Sequence, residues 1–186
     1  MNATTLRARF AEVRATGKRA KDAAESLGLS EGEAIAAHAG KHESPLKAVV
    51  LRGPWLELLQ ALGDCGPVMA LTRNEGAVHE KTGVYKNVSS NGSNGLMGLA
   101  LSDDIDLRLF FSHWHVGFAV REDARNPHQP PAQSLQFFNA HGRAVPGSQI
   151  LADRHVVRQR QIAGGRGHPV AVDDDGSVVE RRIVLE

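Results

Sequence analysis

The order of the hydrophobic patterns along this chain constrains its fold more than any other sequence feature does. Up to about residue 62, apolar residues recur at helical spacing, as Leu6, Phe10 and Val13 do at i, i+4 and i+7. Beyond Gly66 short alternating segments follow one another, and no helical pattern separates them. Because parallel strands need long crossovers, this order predicts an α+β fold in which N-terminal helices precede a curved, mainly antiparallel β-sheet.

These patterns predict a domain over residues 1–145, with its helices within residues 4–62 and its sheet within residues 67–145. Gly28 fits a helix stop, and Ser30 with Glu33 fits a capping box that opens the next helix. The predicted strands are PVMALTR, GLMGLAL, DLRLFF, HVGFAVRE and SLQFFN, with two further short strands around Thr82-Gly83 in AVHEKTGVYKNV. Residues 146–186 form a C-terminal tail that is polar and glycine-bearing, with VVERRIVLE as one final strand.

Composition excludes several classes of protein. A chain of 186 residues with 41% hydrophobic and 23% charged residues is typical of one soluble globular domain. The single cysteine, Cys65, excludes an internal disulfide and a cysteine-rich metal site. No apolar run has the length of a signal peptide core or a membrane span, so we expect a cytoplasmic protein.

The segment KDAAESLGLSEGEA predicts two short helices around a glycine turn, the way many DNA-reading domains begin. Its second helix carries Glu31, Glu33 and His38 but no lysine or arginine. The formal net charge of +1 gives no general attraction to nucleic acid. A packing pair of helices is therefore favoured over a DNA-binding regulator.

The stretch LRLFFSHWH, residues 107–115, combines aromatic residues with an arginine and two histidines. If it begins as a strand, Asp106, Arg108 and Phe110 share one face and Leu107 and Leu109 the other. An arginine beside an aromatic ring suits a flat apolar ligand with an anionic edge. A salt bridge across the sheet between Arg108 and an aspartate would explain the same residues.

The histidines allow more than one interpretation. His113 and His115 would share a face on a strand and could bind a metal together, or they could simply face solvent or pack on aromatic rings. His79 lies among charged residues, where a histidine is usually exposed. Serine-nucleophile, P-loop, dinucleotide and covalent haem-attachment motifs are absent, so the sequence assigns no catalytic residue.

Three long segments, LTRNEGAVHEKTGVYKNV, DIDLRLFFSHWHVGFAV and SLQFFNAHGRAV, occur in the order and spacing of a known family. With KRAKDAAESLGLSEGEA before them, they resemble the bacterial haemin-degrading factors, or cytoplasmic haemin transport proteins, of iron-uptake operons. The resemblance covers about residues 15–145. It is to the first of two tandem structural repeats in that family, each with helices followed by a curved antiparallel sheet.

The resemblance implies non-covalent binding of haem in intracellular haem utilisation, for trafficking, for breakdown with iron release, or for both. In the family, haem lies in a cleft between the halves, and the principal axial histidine belongs to the second half. The first half contributes the arginine and aromatic residue of an R-x-F strand, matched by Arg108 and Phe110. The histidine of A-V-H-E, matched by His79, is implied as an iron ligand of the first half's own site.

Partners and activity follow as expectations from the same resemblance. Haem is the expected cofactor. A half-size chain could pair with itself as a homodimer, and a haem-uptake or haem-oxygenase protein would be its exchange partner. Enzyme status stays open, with haem degradation implied by the family. After NAHGRAV the chain departs from the family pattern. A haem-independent remnant or interaction domain with the same fold is therefore the second candidate function.

Overall fold

The computed structural model describes residues 1–73, 76–91, 96–124, 126, 128–152, 171–172 and 178–179. Four α-helices lie in this part of the chain: α1 (Ala3–Ala15), α2 (Ala20–Ser26), α3 (Glu31–Ala36) and α4 (Trp55–Ala61). Short 3-10 helices occupy Leu62–Cys65 and Phe111–His113. None of the helices described has the length and hydrophobicity needed to cross a bilayer.

Side-chain caps fix where the first and third helices begin. Asn2 accepts a hydrogen bond from the Thr5 amide at 2.9 Å. The Glu33 amide donates to the Ser30 hydroxyl at 3.3 Å, and the Ser30 amide donates to the Glu33 carboxylate at 2.8 Å. Hydrogen bonds from the Ser30 backbone and hydroxyl lower the pKa of Glu33. The capping box predicted from the sequence is therefore confirmed.

One six-stranded sheet contains β1 (Leu46–Leu51), β2 (Pro67–Arg73), β3 (Val78–Val84), β7 (Val116–Glu122), β8 (Ala132–Phe138) and β9 (Ala144–Ala152). Every neighbouring pair in it is antiparallel, which confirms the predicted α+β class. The spatial order of its strands is β1-β7-β8-β9-β2-β3.

A smaller antiparallel sheet of three strands packs against the first one. Its strands, in spatial order, are β4 (Ser89–Asn91), β5 (Met97–Leu101) and β6 (Asp106–Phe110). Two short strands, β10 (Ala171–Val172) and β11 (Val178–Val179), pair with each other in the C-terminal region. The remainder of VVERRIVLE lies outside the described residues.

Strand β1 lies within residues 4–62, where only helices were predicted, so the prediction that the sheet begins at residue 67 is wrong. Leu46 and Ala48 are buried, and they alternate with Lys47 and Val49, which are exposed, as expected for a strand. β1 pairs with β7 along its whole length and forms one edge of the sheet. The helices therefore do not all precede the strands.

The predicted pair of short strands around Thr82-Gly83 is also wrong, because β3 runs through both residues without a turn. Gly83 lies opposite Val68 in the ladder. A Cβ atom on Gly83 would come 2.7 Å from the Asp104 Cβ and 3.1 Å from Ile105, both in the β5–β6 connection. The glycine allows this close approach between the two sheets and does not mark a turn.

Strand β9 extends the sheet past residue 145, to Ala152. It lies between β8 and β2, with Leu135 opposite Ile150 on one side and Ala70 opposite Ile150 on the other. Ile150 is 2% exposed. The beginning of the expected tail is thus an interior strand of the sheet.

Two hydrophobic clusters lie on opposite faces of the six-stranded sheet. One packs the sheet against the three-stranded sheet and α4, and the other packs it against α1, α2 and α3. The adjacent residues Phe137 and Phe138, which are 0% and 1% exposed, point into different clusters.

A histidine is buried in the helical cluster. His38 is 2% exposed, its Nδ1 lies 2.8 Å from the Ala34 carbonyl oxygen, and its ring packs edge-on against Phe10 at 5.4 Å. Burial disfavours the imidazolium form and lowers the pKa of His38 below the free value.

Candidate functional site

The aromatic stretch after β6 turns the chain from the small sheet into the large one. β6 ends at Phe110, and the 3-10 helix Phe111–His113 leads towards β7. Phe111 and Trp114 are 8% and 5% exposed and form an edge-to-face pair at 5.2 Å. The Trp114 ring stacks on Phe137 at 4.1 Å. The turn is therefore anchored in the core by two aromatic residues.

One face of the three-stranded sheet points away from that core; we call it the outer face. Residues paired across an antiparallel ladder project to the same side. The outer face is therefore formed by three such pairs: Met97 with Phe110, Leu99 with Arg108, and Leu101 with Asp106. Phe110 is 47% exposed and Leu101 40% exposed. The alternation predicted for this strand is confirmed, since Leu109 beneath it is 1% exposed.

Arg108 is an exposed cation on this face. It forms no ion pair and no hydrogen bond with any residue that the structure describes, Asp106 included. The salt bridge with an aspartate across the sheet, the second interpretation of this arginine, does not hold within those residues. The guanidinium is therefore available to an anionic ligand.

His113 joins the outer face, which the sequence did not predict. Its ring lies 6.2 Å from the Phe110 ring with 32° between their planes, and its side chain is exposed. His113 ends the 3-10 helix, whereas the His115 amide donates to the Phe138 carbonyl at 2.8 Å. The two histidines therefore do not stand on one strand as a pair. No cluster of three potential metal ligands occurs among the described residues.

His79 lies in a different place, a groove of about 290 Å³ between the edge strand β3 and the β5–β6 connection. The groove is lined by Ala70, His79, Lys81, Asp104, Ile105, Asp106 and Leu107. His79 and Lys81 are exposed. Neither Arg108 nor Phe110 contributes to this lining. The structure thus brings Arg108 and Phe110 together and places His79 in the neighbouring groove.

These two surfaces have different chemistry. The outer face combines apolar side chains and one carboxylate, Asp106, with an imidazole and a guanidinium that has no ion pair among the described residues. This combination suits a flat apolar molecule with an anionic edge bound near Arg108 and Phe110. The groove carries two carboxylates and an ammonium beside its imidazole, together with the apolar residues Ala70, Ile105 and Leu107, so it is more densely charged than the outer face.

Helix α3 is poorly placed to read DNA. Glu31, Gly32, Ala34 and Ile35 are buried against the rest of the protein. Glu31 also forms an ion pair with Arg73 of β2, which ties the helix to the sheet. A recognition helix must present its side chains to the groove of a duplex, whereas most residues of α3 are buried against the rest of the protein.

The fold defines an α+β protein, and its outer face is an exposed, largely apolar sheet surface that carries an arginine. Comparison with known proteins gives the family: residues 28–156 match the haemin-degrading HemS/ChuX domain, and the chain belongs to this family. The match extends beyond residue 145 and thus includes all of β9.

Individual relatives agree with this assignment. The chain is 37% identical over 129 residues to the hemin transport protein HemS of Yersinia enterocolitica, an overlap of 69% of this chain and 34% of that protein. The apo structure of PhuS, a heme-binding protein from Pseudomonas aeruginosa, superposes with a TM-score of 0.69 at 41% identity, covering 82% of this chain and 41% of PhuS.

A second solved structure, the heme degrading enzyme ChuS of Escherichia coli O157:H7, gives a TM-score of 0.68 at 32% identity over 82% of this chain and 43% of ChuS. The chain therefore spans between a third and a half of the length of these relatives.

Proposed function

We propose that this chain binds haem non-covalently through its outer face and serves intracellular haem utilisation. The observation that carries the proposal is the exposed guanidinium of Arg108, which has no ion pair with any described residue, beside the half-exposed ring of Phe110 on a largely apolar sheet face. Haem is a large apolar disc with two carboxylates at one edge. Its binding therefore needs apolar area together with a cation at the rim.

Each residue of the proposed site has a separate role. Phe110, with Met97 and Leu99 beside it, supplies surface for the porphyrin. Arg108 binds a propionate through two parallel N–H···O bonds. His79 is the iron ligand that the family resemblance implies, because a neutral imidazole binds haem iron well.

Two relatives of known structure support this proposal. PhuS is described as heme-binding and ChuS as heme degrading, and both share the fold at more than 30% identity. We extend haem binding to this chain, in the cytoplasm, with trafficking or breakdown as the purpose. A haem-uptake or haem-oxygenase protein would be the exchange partner.

A second proposal concerns assembly. Its relatives HemS, PhuS and ChuS are two to three times as long as the matched region. We propose that two copies pair as a homodimer and close the haem cleft by two-fold symmetry. Sedimentation with and without haemin tests this, and a monomer that binds haemin tightly would contradict it.

A haemin titration followed by the Soret band tests the binding proposal. We expect a shifted Soret band for the wild type. Loss of one charge-assisted pair costs about 1–2 kcal/mol, so Arg108→Ala should weaken binding roughly 5- to 30-fold.

Arg9→Ala is a matched control, because Arg9 is an exposed arginine on α1, away from the outer face. A wild-type protein that leaves the haemin spectrum unchanged would refute haem binding and favour the haem-independent interaction domain. Equal affinities of the two variants would show that Arg108 has no role at the site.

A further inference from the structure

Haem bound on the outer face needs an imidazole that can reach its iron from that face. The resemblance to the family implies His79 for this role. The geometry of the chain raises a different candidate, because the His113 ring lies beside the Phe110 ring, with centroids 6.2 Å apart.

The position of His113 is fixed by its neighbours. Phe111 and Trp114, on either side of it in the chain, are buried in the core, and the Trp114 amide donates to the Phe111 carbonyl at 3.0 Å. The Ser112 amide donates to the Leu96 carbonyl at 3.3 Å, which ties the turn to the start of β5. His113 therefore projects to solvent from a backbone that is held at several points. Such support limits the entropy that a ligand residue loses on binding.

The groove around His79 is a poorer place for a porphyrin. Its volume of about 290 Å³ lies just below the ~300–1,000 Å³ of pockets for drug-sized ligands, and haem is larger than most of these ligands. Covering Asp104 and Lys81, neither of which belongs to the outer face, with an apolar disc would also remove their charges from water, which costs free energy.

We propose that His113 is an iron ligand for haem on the outer face, on the same side as Arg108 and Phe110. This inference rests on the proposed function, since it names the imidazole of that site. Here Phe110 and Arg108 hold the porphyrin and its propionate, and His113 acts on the metal alone. The three contributions can therefore be separated by changing the metal.

The experiment compares haemin with metal-free protoporphyrin IX on the same variants. Iron ligation contributes only with haemin, whereas packing and propionate binding contribute with both. We expect His113→Ala to weaken haemin binding at least about tenfold, with a changed Soret position and spin state, and to leave protoporphyrin binding within about twofold. Added imidazole should restore the wild-type spectrum.

His115→Ala is the matched control, an exposed histidine two positions along the chain. It should behave as the wild type with both ligands. His79→Ala tests the family-implied ligand in the same titration. Phe110→Ala should weaken binding of both porphyrins, which shows that the outer face is the surface in use.

The outcomes separate this inference from the proposed function. If the wild type binds haemin and His113→Ala has the same affinity and spectrum, the inference is wrong and haem binding stands. If His113→Ala weakens haemin and protoporphyrin equally, His113 contributes packing and is not a ligand, which also overturns it. If the wild type binds no haemin, both the proposed function and the inference fail.

Discussion

Two neighbouring residues of β6 should respond to truncation in opposite ways. Leu109 is 1% exposed and points into the core, whereas Phe110 is 47% exposed and points out from the sheet. A Phe side chain offers roughly 150–250 Å² of surface, so about 90 Å² of the Phe110 ring is open to a ligand. At ~25 cal/mol per Å² its complete coverage contributes about 2 kcal/mol, which is roughly a 30-fold effect on the dissociation constant.

Phe110→Ala should therefore weaken haemin binding up to about 30-fold while lowering the free energy of unfolding by about 1 kcal/mol. Leu109→Ala should lower the free energy of unfolding by about 2–5 kcal/mol, because it leaves a cavity in the core. Its folded fraction should keep haemin affinity near that of the wild type. Urea unfolding measures the first quantity and Soret titration of the folded protein measures the second.

The result that refutes the reasoning is a folded Phe110→Ala protein with wild-type haemin affinity. The outer face would then not be the binding surface, whatever the effect of Leu109→Ala. A large loss of stability in Phe110→Ala, equal to that in Leu109→Ala, would show that the strand alternation does not separate core from binding surface.

Other consequences of the structure can be measured without haem. Trp114→Ala removes the ring stacked on Phe137 and should lower the free energy of unfolding by about 3–5 kcal/mol in urea, whereas a loss below ~1 kcal/mol would mean that the anchor is not packed as described. Gly98→Ala places a Cβ 2.6 Å from the Phe111 ring. It should cost about 1–3 kcal/mol in the same assay, and an unchanged midpoint would contradict this close approach. Burial lowers the pKa of His38 below 6.5, so between the folded and unfolded pKa values the unfolded chain binds more protons. The free energy of unfolding should therefore fall as the pH drops below 6.5, and His38→Leu should flatten this dependence; equal slopes for both proteins would show that His38 is not its source.

Local pattern predicted most of the strands but not all of the sheet. β5, β6, β7 and β8 were evident because each alternates or is rich in apolar residues between turn signals. β9 contains Pro146 and Gly147, which usually indicate a turn, and its place between β8 and β2 depends on pairing with both. Whether such a segment forms a strand depends on pairing with residues distant in sequence, and the local sequence pattern does not contain that information.

Strand alternation predicts only those site residues that lie on β6. Arg108 and Phe110 follow from the two-residue period of β6, which ends at Phe110. His113 did not follow, because the chain changes there to a 3-10 helix. A signal for the change does exist: the buried aromatics Phe111 and Trp114 are three residues apart, the spacing of a helical turn rather than of a strand.

The adjacent pair Phe137 and Phe138 has a consequence for how the protein folds. The two rings pack on opposite faces of the sheet. A shift of β8 by one residue against its neighbours would therefore move each ring out of its own hydrophobic cluster and towards the other one. The register of β8 therefore depends on packing at both faces: Phe137 packs against the aromatic residues around Trp114, and Phe138 packs against the N-terminal helices. The helices and the small sheet, which lie on opposite faces of β8, should consequently unfold together rather than one after the other.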